Sequence, residues 1–268
     1  MARSDSVIAS RLGLVAERRV YRDLAELALV AIAFLLYFIV RANVIDRPDV
    51  ALENARRVVD LEQTLGIFAE GAWQDAIIGS GLAVRFFNFV YFWLDFPLIA
   101  ALGLWMYFRR RAQYTFSRDA ILFSGAIALI CYNLFPVAPP RLLPETGLLD
   151  TLQIYNNASY QAQSTEFFVN PYAAMPSLHV GWAVLVAIGL TRAFPGNRLV
   201  VVLALAHVVA QSTSTVFTGN HYFLDWAGGL LAASLGLAFA VFMQRRGYEM
   251  ARAALYQAAS NRQEATRS

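Results

Sequence analysis

The sequence predicts an all-α, polytopic membrane protein with six transmembrane helices, an outer amphipathic helix and an outer loop. Three observations carry that prediction. The 268-residue chain is 58% hydrophobic with mean hydropathy +0.47, more apolar surface than a soluble domain of this size needs. Its apolar residues gather into windows close to the ~20 residues that cross about 30 Å of hydrocarbon as helix. All 22 basic residues are arginines, with no lysine anywhere, and they cluster between alternate windows.

Taken in order, the windows are Leu24–Val44, Val84–Phe108, Ala120–Ala138, Leu178–Phe194, Leu199–Val216 and Leu224–Met243. Cytoplasmic flanks of spanning helices are enriched in basic residues. Sixteen arginines precede the first window, separate the second from the third and the fourth from the fifth, or follow the sixth. Six lie on the other side: Arg41, Arg47, Arg56, Arg57, Arg85 and Arg141. Both termini are therefore expected in the cytoplasm, in a protein integral to the plasma membrane of a bacterium. No short apolar core with a small-residue cleavage site follows the N-terminal arginines, so no cleaved signal peptide is expected. The lone Cys131 has no intrachain partner and reads as a small core side chain.

Two longer segments fall on the arginine-poor side. In "RPDVALENARRVVDLEQTLGIFAEGAWQDAIIG", Val50, Leu52, Val58, Val59, Leu61, Leu65 and Ile67 recur at roughly helical spacing among charges. That pattern fits an amphipathic helix along the membrane surface, or equally a soluble cap packed on the bundle. The second segment, Leu142 to Ala174, is rich in Asn, Gln, Ser, Thr and Tyr and reads as a loop over the outer mouth. With no internal repeat or low-complexity linker, one domain is expected over 1–268, its core at about 24–243 and cytoplasmic tails at 1–23 and 244–268.

Three polar clusters then fall at one predicted face: "PVAPPRLLP" leaving the third window, "MPSLH" entering the fourth, and "STSTVFTGNHYFLD" joining the fifth to the sixth. In "HYFLD", residues four apart share a helix face, so Asp225 can accept a hydrogen bond from one ring nitrogen of His221. The other nitrogen is then left free as a nucleophile or base. A helix cap and interhelix tether is the bland alternative. In "MPSLH", Pro176 suits the first helical positions and Ser177 the cap, leaving free amides that attract anions. His179 sits in that first turn, placed to give a proton to a leaving group. Arg141 follows prolines that end the third helix, and a guanidinium fixed there can grip phosphate oxygens; a lone outer-face arginine can also simply snorkel to headgroups. One cation, two histidines and a carboxylate facing an anion-receptive helix end point to in-line transfer of a phosphoryl group.

Over roughly Leu24 to Met243 the chain resembles the type-2 phosphatidic acid phosphatase superfamily, in particular the branch of the aureobasidin-resistance inositol-phosphorylceramide synthases and their bacterial relatives. The motifs "PPR", "PSLH" and "GNHYFLD" carry the resemblance in family order. It implies that His221 attacks phosphorus to form a phosphohistidine, that Asp225 orients it, and that His179 protonates the departing alcohol. Arg141 and Ser177 would hold the phosphate, and neither a metal nor another cofactor is implied. The substrate would be a lipid phosphate or a phospholipid in the bilayer, with inositol or another alcohol as a possible acceptor. The chain departs from the superfamily's fuller pattern at two cations: Leu134 stands where a lysine is found, and Thr215 where an arginine is found. Backbone amides near Gly219 and Asn220, the hydroxyls of Ser214 and Thr215, or an outer-loop arginine could substitute.

Elsewhere, His207, Gln211, Ser214 or Thr215, and Thr218 form a polar stripe on the fifth window, read as a headgroup pocket or as interhelix bonding. Asn88, Tyr91 and Asp95 share a face of the second, with Asp95 deep enough to need a partner, read as structural. Gly228, Ala232 and Gly236 form a close-packing seam. Two other functions compete with the phosphatase or phosphotransferase. One is a transporter or channel using His207, Asp95 and His221, which lacks polar residues in the inner halves of the spans. The other is a metal-dependent hydrolase with His179, His221 and Asp225 as ligands. Nothing supports nucleic-acid binding.

Overall fold

The structure, a computed structural model, describes residues 2–156, 170–251, 253, 254 and 257, with side chains from Val20 onward. The centre of the outer loop (157–169), most of the C-terminal tail and the side chains of Arg3, Arg11, Arg18 and Arg19 lie outside the described residues. Ten α-helices follow in order: α1 (Ala2–Ile45), α2 (Pro48–Thr64), α3 (Glu70–Ile78), α4 (Gly81–Trp93), α5 (Phe96–Arg109), α6 (Arg111–Leu134), α7 (Thr151–Asn156), α8 (Leu178–Ala193), α9 (Arg198–Phe217) and α10 (Phe223–Phe242). Among the described residues no strand forms beyond one isolated bridge between Val137 and Ala173. The protein is an all-α integral membrane protein.

Six spans are expected from the sequence, and the structure gives fewer of full length. Four helices are long and apolar enough to cross a bilayer: Val20–Ile45, Arg111–Leu134, Arg198–Phe217 and α10 with its extension to Ala251. α4 and α5 together make a fifth, bent by 45°. The window Val84–Phe108 is thus two helices. Pro97 falls in the first turn of α5, where its missing amide costs nothing; inside one continuous helix it would remove a hydrogen bond and clash with the preceding turn. α8, at 16 residues, is about 24 Å long at 1.5 Å per residue, short of a full span.

α6, α8 and α10 pack on one another, α9 packs on α8, α4 lies against α9, and α1 and α5 lie against α6. Small residues set the closest approaches: a Cβ on Gly181 of α8 would lie 2.6 Å from the Gly229 carbonyl, and one on Gly228 would lie 3.1 Å from Pro176 Cβ. Gly236 abuts the Ala120 carbonyl of α6 in the same way. This pulls the first turn of α8 onto the first turn of α10, where the candidate histidines lie. α2 supplies a cap. Its buried face, Ala51, Ala55 and Val58, packs on Val137, Ala138, Leu143, Ala174 and Tyr222, while Val50, Leu61, Leu65 and Ile67 remain exposed.

The opposite end of the bundle is closed by charge. Arg118 on α6 bonds Glu26 of α1, its neighbour Asp119 and the Tyr248 hydroxyl. Tyr114 donates to Glu26 at 3.0 Å, and Tyr248 donates to Asp119 at 2.5 Å.

Candidate active site

α9 ends at Phe217 and the chain reverses through Thr218–Asn220. Gly219 takes φ +71°, a left-handed conformation, and a Cβ there would lie 2.7 Å from the Leu149 carbonyl; both conditions favour glycine. The amides of Asn220 and His221 fold back to the Thr215 carbonyl at 3.0 and 3.1 Å. Asp225 then caps α10 by accepting the Tyr222 amide at 2.9 Å. His221 stands one residue ahead of that cap, so it meets Asp225 through cap geometry and not through the shared helix face expected from the sequence.

His221 Nδ1 lies 2.8 Å from the Ala174 carbonyl and 3.2 Å from Asp225 Oδ2. A carbonyl can only accept, so Nδ1 carries the proton and Nε2 keeps a lone pair. Ala174 is held in place because its amide donates to the Val137 carbonyl at 3.2 Å. Burial, to which the Arg141 charge adds, pushes the His221 imidazole down to about 3 despite the Ala174 bond. The ring is therefore neutral near pH 7 and its Nε2 is available as a nucleophile.

That Nε2 faces His179 Nδ1 at 3.3 Å. Beyond it, His179 Nε2 lies 3.4 Å from Asp95 Oδ2, and the Tyr91 ring stacks on the imidazole with centroids 4.3 Å apart and planes at 17°. Asp95 and Tyr91, two of the three polar residues on the second predicted window, thus both touch His179. The third, Asn88, binds Thr151 of α7. Ser177 occupies the cap position of α8 as expected, but its hydroxyl makes no capping bond. Its Oγ is buried with no partner among the described residues, while its amide donates to the Asp225 carbonyl at 2.9 Å. Pro176 precedes the cap and so lies outside the first helical turn.

Arg141 sits in a 3-10 turn, Pro140–Leu142, its amide donating to the Gly219 carbonyl at 3.0 Å. Its guanidinium is gripped by Asn220 Oδ1 and, through Nε, by Asp150 at 3.2 Å. The remaining predicted phosphate contacts are already committed. The Gly219 and Asn220 amides go to Val216 and Thr215 carbonyls. The Thr215 hydroxyl donates to the Ser212 carbonyl at 2.6 Å and accepts from Trp226 Nε1 at 2.9 Å. Thr215 therefore shapes the loop, and the Gly219 carbonyl and Asn220 Oδ1 hold Arg141. Leu134 is 75% exposed, turned away from the cluster.

Several contributors were not singled out in the sequence. Glu62 and Glu70, both fully buried, accept the amides of Leu224 at 2.7 Å and Phe223 at 3.0 Å. With Tyr222 held by Asp225, three successive amides at the start of α10 go to three different carboxyl groups. Gln74 clamps Leu149 by both its amide and carbonyl. These residues sit in an amphipathic segment whose charges look like a solvated face, and no local spacing distinguishes them. The stripe on α9 resolves into bonding only in part: Gln211 reaches the Tyr91 carbonyl at 3.4 Å, and Ser214 and Thr218 bond carbonyls of their own helix, while His207 Nδ1 and Gln211 Oε1 are buried with no partner among the described residues. Among the described residues, no three His, Cys, Asp or Glu side chains are grouped to hold a metal ion.

A family model described as the PAP2 superfamily matches residues 56–239. A curated relative, the inositol phosphorylceramide synthase catalytic subunit aur1 of Schizosaccharomyces pombe, is 36% identical over 69 residues, covering 26% of this chain and 16% of that protein. The chain thus aligns with less than a fifth of that relative's length. No solved structure matches it significantly. The span of the family match includes Arg141, Ser177, His179, His221 and Asp225, and by that match the chain belongs to the PAP2 superfamily.

Proposed function

We propose that the protein is a membrane lipid phosphatase or phospholipid headgroup phosphotransferase that works through a phosphohistidine, without a metal, at the extracytoplasmic face. The observation that carries this reading is the pair of imidazoles. His221 Nε2, backed at Nδ1 by Ala174 and Asp225, points at His179 Nδ1 across 3.3 Å. A phosphate entering there takes the place of that contact. The His221 lone pair attacks phosphorus, the bond from phosphorus to the lipid oxygen breaks with its electron pair on oxygen, and His179 supplies that oxygen's proton. Neutral His179 then takes a proton from water or an acceptor alcohol, which attacks phosphorus and releases His221. Water gives free phosphate; inositol or another alcohol gives a new phosphoester. Arg141 and Ser177 steady the phosphate oxygens as charge develops. The arginine imbalance of the flanks supports the face, and family membership together with the partial likeness to the synthase subunit supports the reaction class.

The test is turnover of a panel of lipid phosphates and phosphodiesters by the purified protein in chelator, with and without inositol. Release of phosphate or formation of a new headgroup, abolished by His221→Ala, is expected. Near-full turnover by His221→Ala would overturn the assignment of the nucleophile, and dependence on a divalent metal would overturn the mechanism.

A further inference from the structure

The hydrogen-bonded row that begins at Ala174 does not end at His179. It runs on to Asp95, and counting its protons shows what Asp95 is for. The Ala174 carbonyl accepts from His221 Nδ1 at 2.8 Å, which leaves a lone pair on His221 Nε2. His179 Nδ1, 3.3 Å away, must then carry a hydrogen to satisfy that contact. On the far side, His179 Nε2 and Asp95 Oδ2 face each other at 3.4 Å. If His179 had no second proton and Asp95 were a carboxylate, two lone pairs would oppose each other where only 22% and 14% of the two side chains are exposed. A proton between them removes that repulsion, so the pair carries one proton more than a lone imidazole.

The fold also fixes where Asp95 stands. It is the residue at the break between α4 and α5, and its carbonyl starts α5 by accepting the Ile99 amide at 2.9 Å. Tyr91, one turn earlier, lies flat on the imidazole. One element therefore holds the ring by its face and by its far nitrogen, which leaves Nδ1 as the edge that meets the reacting phosphate.

We propose that Asp95 is the positioning carboxylate of the general acid: it fixes His179 through Nε2 and keeps the imidazole loaded with the proton that Nδ1 delivers to the leaving oxygen. The inference rests on the reading of His179 as that acid. When the bond from phosphorus to the leaving oxygen breaks, the Nδ1 proton passes to that oxygen and the electron pair of the N–H bond stays on nitrogen. The ring becomes neutral, its remaining N–H directed at the Asp95 carboxylate. An asparagine at 95 supplies no charge and can donate its amide to Nε2, favouring a neutral ring, which is a far weaker acid.

The experiment compares two substrates that share the transferred phosphate group, one with an alkyl alcohol and one with p-nitrophenol as leaving group. The phenolate leaves without needing a proton. For Asp95→Asn, kcat/KM on the alkyl ester is expected to fall by about 10²–10³, the scale of general acid catalysis, and on the p-nitrophenyl ester by less than about fivefold because no proton transfer is lost there. Asp95→Glu should recover part of the alkyl-ester activity. Equal losses on both esters, or no loss on either, would overturn the proposal. His179→Ala separates the two levels. If it shows the leaving-group selectivity and Asp95→Asn does not, the role of Asp95 alone falls; if His179→Ala lacks it, the general-acid reading falls and the inference with it.

Discussion

Both ends of the bundle bury charge, and they do it differently. At the α5–α6 end, Arg118 is met by Glu26, Asp119 and Tyr248, and Tyr114 adds a further bond to Glu26. Each partner is itself satisfied, as a structural tie requires. At the other end, two imidazole nitrogens face each other, Ser177 Oγ and Asp225 Oδ1 have no partner among the described residues, and Arg141 sits beside them. Under the proposed reaction, an incoming phosphate would give the Ser177 hydroxyl and the facing imidazole nitrogens partners, as buried polar groups require.

The sharpest way to test that contrast is to cut each end separately. His221→Ala should reduce turnover by at least about 10⁴-fold, the scale seen when a covalent nucleophile is removed, while the melting temperature in detergent stays close to that of the parent. Arg118→Met should do the reverse. It removes the guanidinium from Glu26 and Asp119, each about nine-tenths buried, leaving Glu26 to Arg111 and Tyr114 and Asp119 to the Tyr248 hydroxyl, and breaking such a pair costs about 3 kcal/mol. A large fall in melting temperature with turnover per folded molecule within about twofold is the expected outcome, since no group at the site is touched. Equal losses of activity in both variants would show that the two ends are not independent.

The fold class was legible because membrane helices announce themselves by length and apolarity, and the grouping of His221, His179 and Arg141 in the candidate site because all three lie beside helix ends that the connectivity brings together. What was not legible has a physical cause in each case. The break at Asp95 divides a window whose average apolarity masks Asn88, Asp95 and Pro97, and mean hydropathy does not register a bend. Thr215, Gly219 and Asn220 looked available for phosphate because sequence cannot show that a tight reversal of chain will consume their amides and hydroxyls. Glu62 and Glu70 lie about 160 and 153 residues from the amides they cap, so nothing local points to them.

Smaller changes probe how the site is held. Arg141→Lys keeps the charge but cannot meet Asn220 and Asp150 with a planar fork, so kcat/KM should fall by about 10- to 100-fold, with stability little changed, because the two cations differ in geometry more than in charge. Asn220→Ala should give a smaller loss in the same direction. If Arg141→Lys were fully active, the grip on the guanidinium would be dispensable.

The finest test concerns the carboxyl pair beneath α10. Burial, then the hydrogen bond to Glu70, pushes the Glu62 carboxyl up to about 9, so the folded protein keeps a proton there that the unfolded chain releases near pH 4.5. The sign follows from linkage: the folded state binds more protons than the unfolded state between those values, so this contribution is full below about pH 4.5 and is lost as pH rises towards 9. Glu62→Gln mimics the protonated form. It keeps an acceptor for the Leu224 amide and a donor for Glu70, so it should flatten the decline of melting temperature across that window while preserving turnover. Glu62→Leu keeps neither group and leaves the Leu224 amide unmet at the start of the helix that carries Asp225, so it should lower both stability and turnover. A decline with pH as steep in Glu62→Gln as in the parent would show that the proton resides elsewhere, and the start of α10 would then be held by charge and not by a shared hydrogen.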